Sequence, residues 1–361
     1  MGKSAVKGLF YICLIAATFV LATITIMAAF SGNVAPVDSV IMPLLGLAVP
    51  VLLIANLITA LCWALARKRW ALVPLVAFFC NWGYLTSVFQ LHLPKDKTPA
   101  GKYLKIATYN IHNFGGEITG YSCKEIARYM QQEGVDVLCF QEFGDNSDFP
   151  TDSIRRVLSH WSHALIPSED SVKGVLPIAV FSRYPLANHR FITYQHSSNC
   201  SMMCDVVMGT DTIRLINNHL QTTSVSQKRR KWERELATDD TRREVQAAKD
   251  AAGTLHENFM KRATQTYVIS HYAKTSPYPV LLCGDFNSIP SSYTYHHLRK
   301  TLKDGFRTAG NGYMYTYRYA KRMLRIDYIF HSPSLKGIEY YSPDLDLCSD
   351  HNPVIMEVEI Q

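Results

Sequence analysis

Six polar clusters stand at the ends of short apolar runs along the chain. They are Asn110 with His112 (Tyr-Asn-Ile-His-Asn), Glu142 (Leu-Cys-Phe-Gln-Glu), His219 (Asn-Asn-His-Leu), Asp285 with Asn287 (Gly-Asp-Phe-Asn-Ser), Asp327 (Arg-Ile-Asp-Tyr-Ile-Phe), and Asp350 with His351 (Ser-Asp-His-Asn-Pro-Val). Carboxylates and amides so placed suit a hard divalent cation, and Mg²⁺ binds through one or two carboxylates while keeping its waters. Histidines beside acids suit proton transfer near neutral pH. Taken singly, an Asn, Glu or Asp that ends a strand is an ordinary turn or cap residue. His112 alone is more readily a surface histidine than a ligand. Other chemistries lack their signatures. No G-x-S-x-G elbow, H-E-x-x-H, phosphate-binding glycine loop or dinucleotide fingerprint occurs, which disfavours acyl, zinc and nucleotide-cofactor chemistry.

Strands and helices alternate around these clusters. The patterning predicts strands at Lys105–Asn110, Val135–Phe140, Ile178–Ser182, Met202–Met208, Ile213–Asn218, Val280–Cys283, Ile326–Phe330 and Val354–Ile360. Ser122-Cys-Lys-Glu125 reads as a capping box opening a helix to about Glu133. Between residues 227 and 273, Val245, Ala248, Ala252, Leu255, Phe259 and Ala263 recur at helical spacing. That predicts a long amphipathic helix between two strands. Its basic start (Lys228 to Arg234) reads as a solvated face, or in a sharper reading as a contact to anionic lipid or substrate.

The chain joins two unlike parts. Met1–Pro94 holds five basic residues and one acidic residue, leaving 32 basic and 29 acidic in the remainder. The later part is therefore nearly neutral, without the concentrated positive footprint of a nucleic-acid binder. Three apolar stretches, about 9–30, 40–66 and 70–91, are each long enough for a hydrocarbon core of ~30 Å. They predict a 1–94 membrane anchor, followed by a 95–102 linker and a catalytic domain at 103–361. Lys3, Lys7 and the Arg67-Lys68-Arg69 loop place the N-terminus in the cytoplasm by the positive-inside rule. Three spans then put the catalytic domain outside it, in a periplasmic or extracellular position. Lys95, Lys97, Lys102 and Lys105 pull the other way. The nine cysteines form no metal pattern; Cys200 and Cys204 stand near enough in sequence to pair.

In their order, the six clusters resemble the endonuclease/exonuclease/phosphatase superfamily over about residues 103–361. Gly284-Asp285-Phe286-Asn287, Arg325-Ile326-Asp327-Tyr328 and Ser349-Asp350-His351 carry the likeness most strongly. The resemblance implies an α/β fold: a four-layer α/β sandwich of two mixed β-sheets flanked by helices, here preceded by a small bundle of transmembrane helices. It implies Mg²⁺, with Mn²⁺ as a substitute, held by Glu142, Asn110 and Asp350. Asp285 and Asn287 would position the attacking water, and His351 would contact the phosphate with Asp327 orienting its ring. His219 would protonate the leaving oxygen. The general base, Asp285 or His351, stays open. Ser182-Arg183-Tyr184-Pro185 also resembles a family segment, with Arg183 either a phosphate contact or a structural turn residue. Tyr109, His112 and Phe143 depart from the nuclease and DNA-repair patterns, which weakens a repair assignment.

The expected function is a membrane-anchored, metal-dependent phosphoester hydrolase, a phosphodiesterase or phosphatase. Its partners would be the lipid bilayer and a phosphoester: a lipid head group, a small ester or nucleic acid. The sequence points to no protein partner. A membrane-tethered Mg²⁺-dependent nuclease is the alternative, and a non-catalytic binding module the remote one.

Overall fold

In the computed structural model the described residues are 3–93, 97, 101–167, 174–223 and 241–360. Lys228–Arg234 and most of the expected 95–102 linker lie outside them. The chain divides into two compact units, Met1–Ser87 with Pro290–His297, and Val88–Ile289 with Leu298–Gln361.

The first unit holds the apolar helices. Lys3–Ala29 and Ile41–Leu65 each carry a window long and apolar enough to cross a membrane. The third stretch, expected as one span, is broken into two helices. Helices Leu72–Cys80 and Trp82–Val88 meet at Asn81 with a bend of 62°. Asn81 is buried, and its amide donates to the carbonyls of Thr25 and Ala77, both at 3.1 Å. A polar seam runs on from there. The Asn56 amide donates to Thr25 Oγ1 (2.7 Å), and the Trp63 indole to Thr18 Oγ1 (2.9 Å). Polar groups facing other helices are the glue available where apolar surface alone gives no preference between protein and lipid.

The second unit is built on two six-stranded mixed sheets. The first has the order β13-β14-β2-β3-β5-β4: Leu335–Tyr341, Val354–Ile360, Lys102–Asn110, Val137–Gln141, Ile178–Ser182 and His163–Leu165. The second has the order β10-β12-β9-β8-β7-β6: Lys303–Asp304, Asp327–His331, Val280–Asp285, Asp211–His219, Cys200–Met208 and Leu186–Thr193. A two-stranded piece, β1 (Phe89–Gln90) with β11 (Gly312–Tyr313), stands apart. Alternation divides each strand between two cores. Val137 and Cys139 of β3 join Ile106, Cys204, Leu215, Cys283 and Met356 between the sheets. Leu138 and Phe140 face the other way, toward Ile126, Met130 and Ile154 of helices Tyr121–Gln132 and Thr151–Val157. This is the four-layer sandwich.

Local details differ from expectation. Helix Tyr121–Gln132 opens without a capping box. The carboxylate of Glu117, five residues upstream, accepts from the Ser122 N–H (2.8 Å) and hydroxyl (2.6 Å) instead. Cys200 and Cys204 are buried free thiols. The long helix Thr241–Lys274 turns polar residues inward, for reasons given below.

Two parallel pairings decide where chemistry collects. β2 runs parallel to β3 and β8 parallel to β9, so Asn110, Gln141, His219 and Asp285 all end at one rim. The antiparallel partners begin there. Asp327 opens β12 opposite Asp285, and Val354 opens β14 opposite Thr108.

Candidate functional site

Asp285 sits at the centre of the rim. Gly284 before it has φ +131°, and a Cβ there would stand 1.9 Å from the Asn218 carbonyl oxygen. Only glycine lets β9 approach β8 so closely, and the register then sets Asp285 against His219. The carboxylate is held on several sides. Oδ1 accepts the Asn287 N–H (2.8 Å), while Oδ2 accepts the side-chain amides of Asn287 and Asn110, both at 3.2 Å. Oδ2 also lies 3.7 Å from Nε2 of both His219 and His351. Burial raises this carboxyl to about 6, partly opposed by the charge of His351.

Glu142 follows β3 in the left-handed region (φ 49°), as Asn287 follows β9 (φ 48°). Such backbone is sparsely populated by non-glycine residues and marks functional turns. Glu142 Oε1 accepts the Asn110 amide (3.1 Å) and lies 3.7 Å from His219 Nε2; Oε2 lies 3.2 Å from His112 Nδ1. Burial pushes Glu142 up, but His219, Asn110 and the other histidines outweigh it, and the net direction is down. It is an anion.

The two buried histidines differ in charge. His351 Nδ1 donates to Asp327 at 2.9 Å. Burial opposes its charge, yet Asp327 and Asp285 prevail and raise it to about 10. His219 goes the other way: burial lowers its pKa despite Asp285 and Glu142, leaving a neutral ring. Neither ring nitrogen of His219 has a hydrogen-bond partner among the described residues, although the residue is 1% exposed. Such an orphan calls for a group that completes the site.

The loop bearing Asp350 and His351 is tied down from three directions. The Ser349 hydroxyl donates to the Asn110 carbonyl (2.5 Å) and accepts the His351 N–H (3.0 Å). The Arg318 guanidinium donates to the carbonyls of Leu347 and Ser349 and pairs with Asp346, while the Arg318 backbone N–H donates to the Asp350 carbonyl. Tyr317 packs edge-on against the His351 ring at 5.2 Å.

The structure thus gathers Asn110, Glu142, His219, Asp285, Asn287, Asp327, Asp350 and His351 at one place. Arg183 is elsewhere. It follows β5 where Ser182 pairs with Val137, at the opposite end of β3 from Glu142, and its guanidinium binds Asp136 at 2.9 Å. The turn reading, not the phosphate reading, describes it. Asn110 differs in detail, because its amide nitrogen faces Glu142 and Asp285 while its oxygen accepts the His112 N–H (3.2 Å). Ligation through oxygen requires the amide to turn over. His112, discounted from sequence, reaches Glu142.

Sequence reading missed three polar side chains of helix Thr241–Lys274 that hold the backbone just after His219. Asn258, Arg262 and Gln265 are buried on one helix face. Arg262 donates to the Gln221 backbone carbonyl (2.7 Å) and Thr223 hydroxyl (3.2 Å), the Gln265 side-chain oxygen accepts the Gln221 N–H (2.7 Å), and the Asn258 amide donates to the Thr223 backbone carbonyl (3.0 Å). The expected apolar stripe is interrupted because this face satisfies the backbone just after His219. The available signal was an arginine three residues beyond Phe259, on the face assigned to the core.

The donor set fits a hard divalent ion. Glu142 is an anion at an oxygen-rich rim, and His219 stands orphaned 3.7 Å from two carboxylates. Asp285, Asp327 and His351 bring donor atoms within 4.8 Å of one another. Asp327 and His351 already bind each other, so an ion fits better on the Glu142 side.

The family model for the Endonuclease/Exonuclease/phosphatase family matches residues 107–351, and a model described as a domain of unknown function (DUF8431) matches residues 9–88. No curated protein matches the chain. Solved structures share the fold. An endonuclease/exonuclease/phosphatase from Beutenbergia cavernae DSM 12333 aligns at 16% identity and TM-score 0.51, covering 72% of each chain. One from Bacteroides vulgatus gives 16% and 0.52, covering 72% of this chain and 100% of that one. TDP2 from C. elegans gives 16% and 0.51, covering 72% and 75%.

Proposed function

This chain belongs to the Endonuclease/Exonuclease/phosphatase family, and from that premise we propose that it is a membrane-anchored, Mg²⁺-dependent phosphoester hydrolase. The observation that carries the reading is the Asp285 hub. One carboxylate oxygen faces two side-chain amides and the Nε2 atoms of two histidines.

In this reading Asp285 is the general base. With its pKa raised to about 6 it is ionised at neutral pH yet basic enough to take a proton from water. Asn287 fixes its orientation through two hydrogen bonds. His351, held cationic by Asp327, contacts the phosphate and balances its growing negative charge. Its charge argues against a role as base. His219, being neutral, serves as a hydrogen-bond donor to the leaving oxygen rather than as an imidazolium acid, which revises the role implied by resemblance. Glu142, Asp350 and a turned Asn110 would hold the Mg²⁺, with Mn²⁺ as substitute. When bound, the ion supplies polarisation of a phosphoryl oxygen and charge neutralisation.

The apolar helices Lys3–Ala29 and Ile41–Leu65 support the anchor. An extracytoplasmic catalytic domain further requires that the broken third stretch cross the membrane. A reporter fused at the C-terminus and active only in the cytoplasm would overturn that placement.

The test uses the full chain in detergent or nanodiscs with Mg²⁺ and an EDTA control. Plasmid DNA, a phospholipid panel and bis-p-nitrophenyl phosphate are offered in parallel. Metal-dependent turnover of any phosphoester supports the reading, and cleavage of DNA alone transfers it to the nuclease alternative. Absence of turnover throughout, with parent and Glu142→Gln indistinguishable, refutes it.

A further inference from the structure

The segment Gly312–Tyr319 alternates strictly, Tyr313, Tyr315, Tyr317 and Tyr319 against buried Met314 and Thr316. The tyrosine rings form a row: Tyr313 and Tyr315 lie 6.3 Å apart, Tyr317 and Tyr319 5.7 Å apart. Within the row, Tyr317 packs on His351. At one end Tyr313 pairs with Phe89 across the β1–β11 ladder. Directly opposed residues of an antiparallel pair share a face, so Phe89 projects with the tyrosines. Leu91 and Leu93 follow at alternate positions and are 78% and 88% exposed, while His92 between them turns to the Gly310 carbonyl (2.7 Å). Tyr319 is 64% exposed.

Exposed leucines and tyrosines in one continuous patch mark an interaction surface. Its chemistry is that of a bilayer boundary, where tyrosine sits at the head-group level with its ring in the apolar layer and its hydroxyl in water. Continuity identifies the occupant. Phe89 follows without a spacer from the apolar helix Trp82–Val88, and Met314 N–H donates to the Val88 carbonyl (2.8 Å). Arg322 lies over the Tyr315 ring and pairs with Asp344 at 3.5 Å, which fixes a charged edge beside the row. The four steps from Tyr313 to Tyr317 span about 13 Å at strand rise, which sets the reach from the Phe89–Tyr313 pair to the ring that touches His351.

Resting on the hydrolase reading above, we propose that Phe89, Leu91, Leu93, Tyr313, Tyr315 and Tyr319 seat in the head-group layer of the bilayer. The tyrosine row then leads lipid-borne phosphoesters to His351. The substrate class is a phosphoester carried on a membrane lipid rather than one free in solution.

The test places p-benzoylphenylalanine at Leu91, at Tyr319 and, as control, at exposed His189 of β6, each in the full chain in phosphatidylcholine/phosphatidylglycerol nanodiscs. Irradiation is expected to give lipid adducts at Leu91 and Tyr319 and none at His189, read by mass spectrometry. In a second arm, Leu91→Ser with Leu93→Ser should lower the ratio of vesicle-borne to soluble phosphodiester turnover at least about tenfold, since each removes an interfacial apolar contact. Equal labelling at all three sites, no labelling at Leu91 and Tyr319, or an unchanged ratio overturns the surface. Adducts at Tyr319 to added oligothymidylate instead of lipid assign the row to single-strand stacking. If neither diester is turned over, the hydrolase reading fails, while the adducts still decide the surface.

Discussion

Asp327→Asn removes one buried charge and little else. An asparagine oxygen can still accept the His351 Nδ1 proton now bound at 2.9 Å, so the ring keeps its place. Removing one partner of a buried ion pair costs about 3–5 kcal/mol when the other charge stays. His351 escapes that cost by losing its proton. At about 1.4 kcal/mol per unit, a drop of at least about two units from its present value of about 10 follows. The direction of the stability change is fixed by linkage. A histidine raised on folding stabilises the protein fully below its unfolded pKa of about 6.5, and the contribution fades as pH rises toward 10. The gap in Tm between parent and variant should therefore be largest near pH 6 and shrink by pH 9.5. With bis-p-nitrophenyl phosphate and Mg²⁺, kcat should fall about a hundredfold or more at pH 8, with the alkaline limb of the pH profile displaced to lower pH. An unmoved alkaline limb with unchanged kcat, or a Tm gap widening with pH, would refute the charge assignment.

Other expectations follow from the same geometry. Because burial raises Asp285 to about 6, kcat/KM should fall about tenfold per pH unit below that value, read between pH 4.5 and 8. Glu142→Gln should weaken Mn²⁺ binding at least about tenfold by calorimetry, since it removes an anionic oxygen donor. Arg183→Ala should leave kcat/KM within about twofold and cost at most about 1 kcal/mol in urea unfolding, because its half-exposed pair with Asp136 is far from the rim. Arg262→Met should lower both Tm and kcat, with Arg262→Lys restoring part of each. The variant strips a donor from the buried Gln221 carbonyl at a cost of about 1–3 kcal/mol.

The rim was readable in the sequence because its residues sit where apolar runs stop or, at Asp327, where one starts. A strand boundary and a polar residue coincide at Asn110, His219 and Asp285, and the order of such coincidences is distinctive. The strands themselves were found where both faces are buried, as at Ile178–Ser182, whose five residues are all buried. Leu186–Thr193 and Leu335–Tyr341 were missed because they lie at sheet edges with one face toward solvent and bulges at Ala187/Arg190 and Gly337/Glu339. Arg183 misled because a motif carries no information about which end of a strand it occupies; that comes from the antiparallel pairing of β5 with β3. The inward polar face of Thr241–Lys274 was hidden because its partners are backbone groups, which leave no trace in side-chain pattern. The break at Asn81 was invisible for a related reason: its hydrogen bonds run to the Thr25 carbonyl, 56 positions away.

Glu142 and Asn287 each hold a side chain on left-handed backbone at a strand exit. Glycine would occupy either place with less strain, by on the order of 1 kcal/mol. An inactive copy of this gene selected for stability alone should move toward glycine at these two sites. Its idle descendants would thus be recognisable by a higher melting point together with two small residues where an acid and an amide once stood.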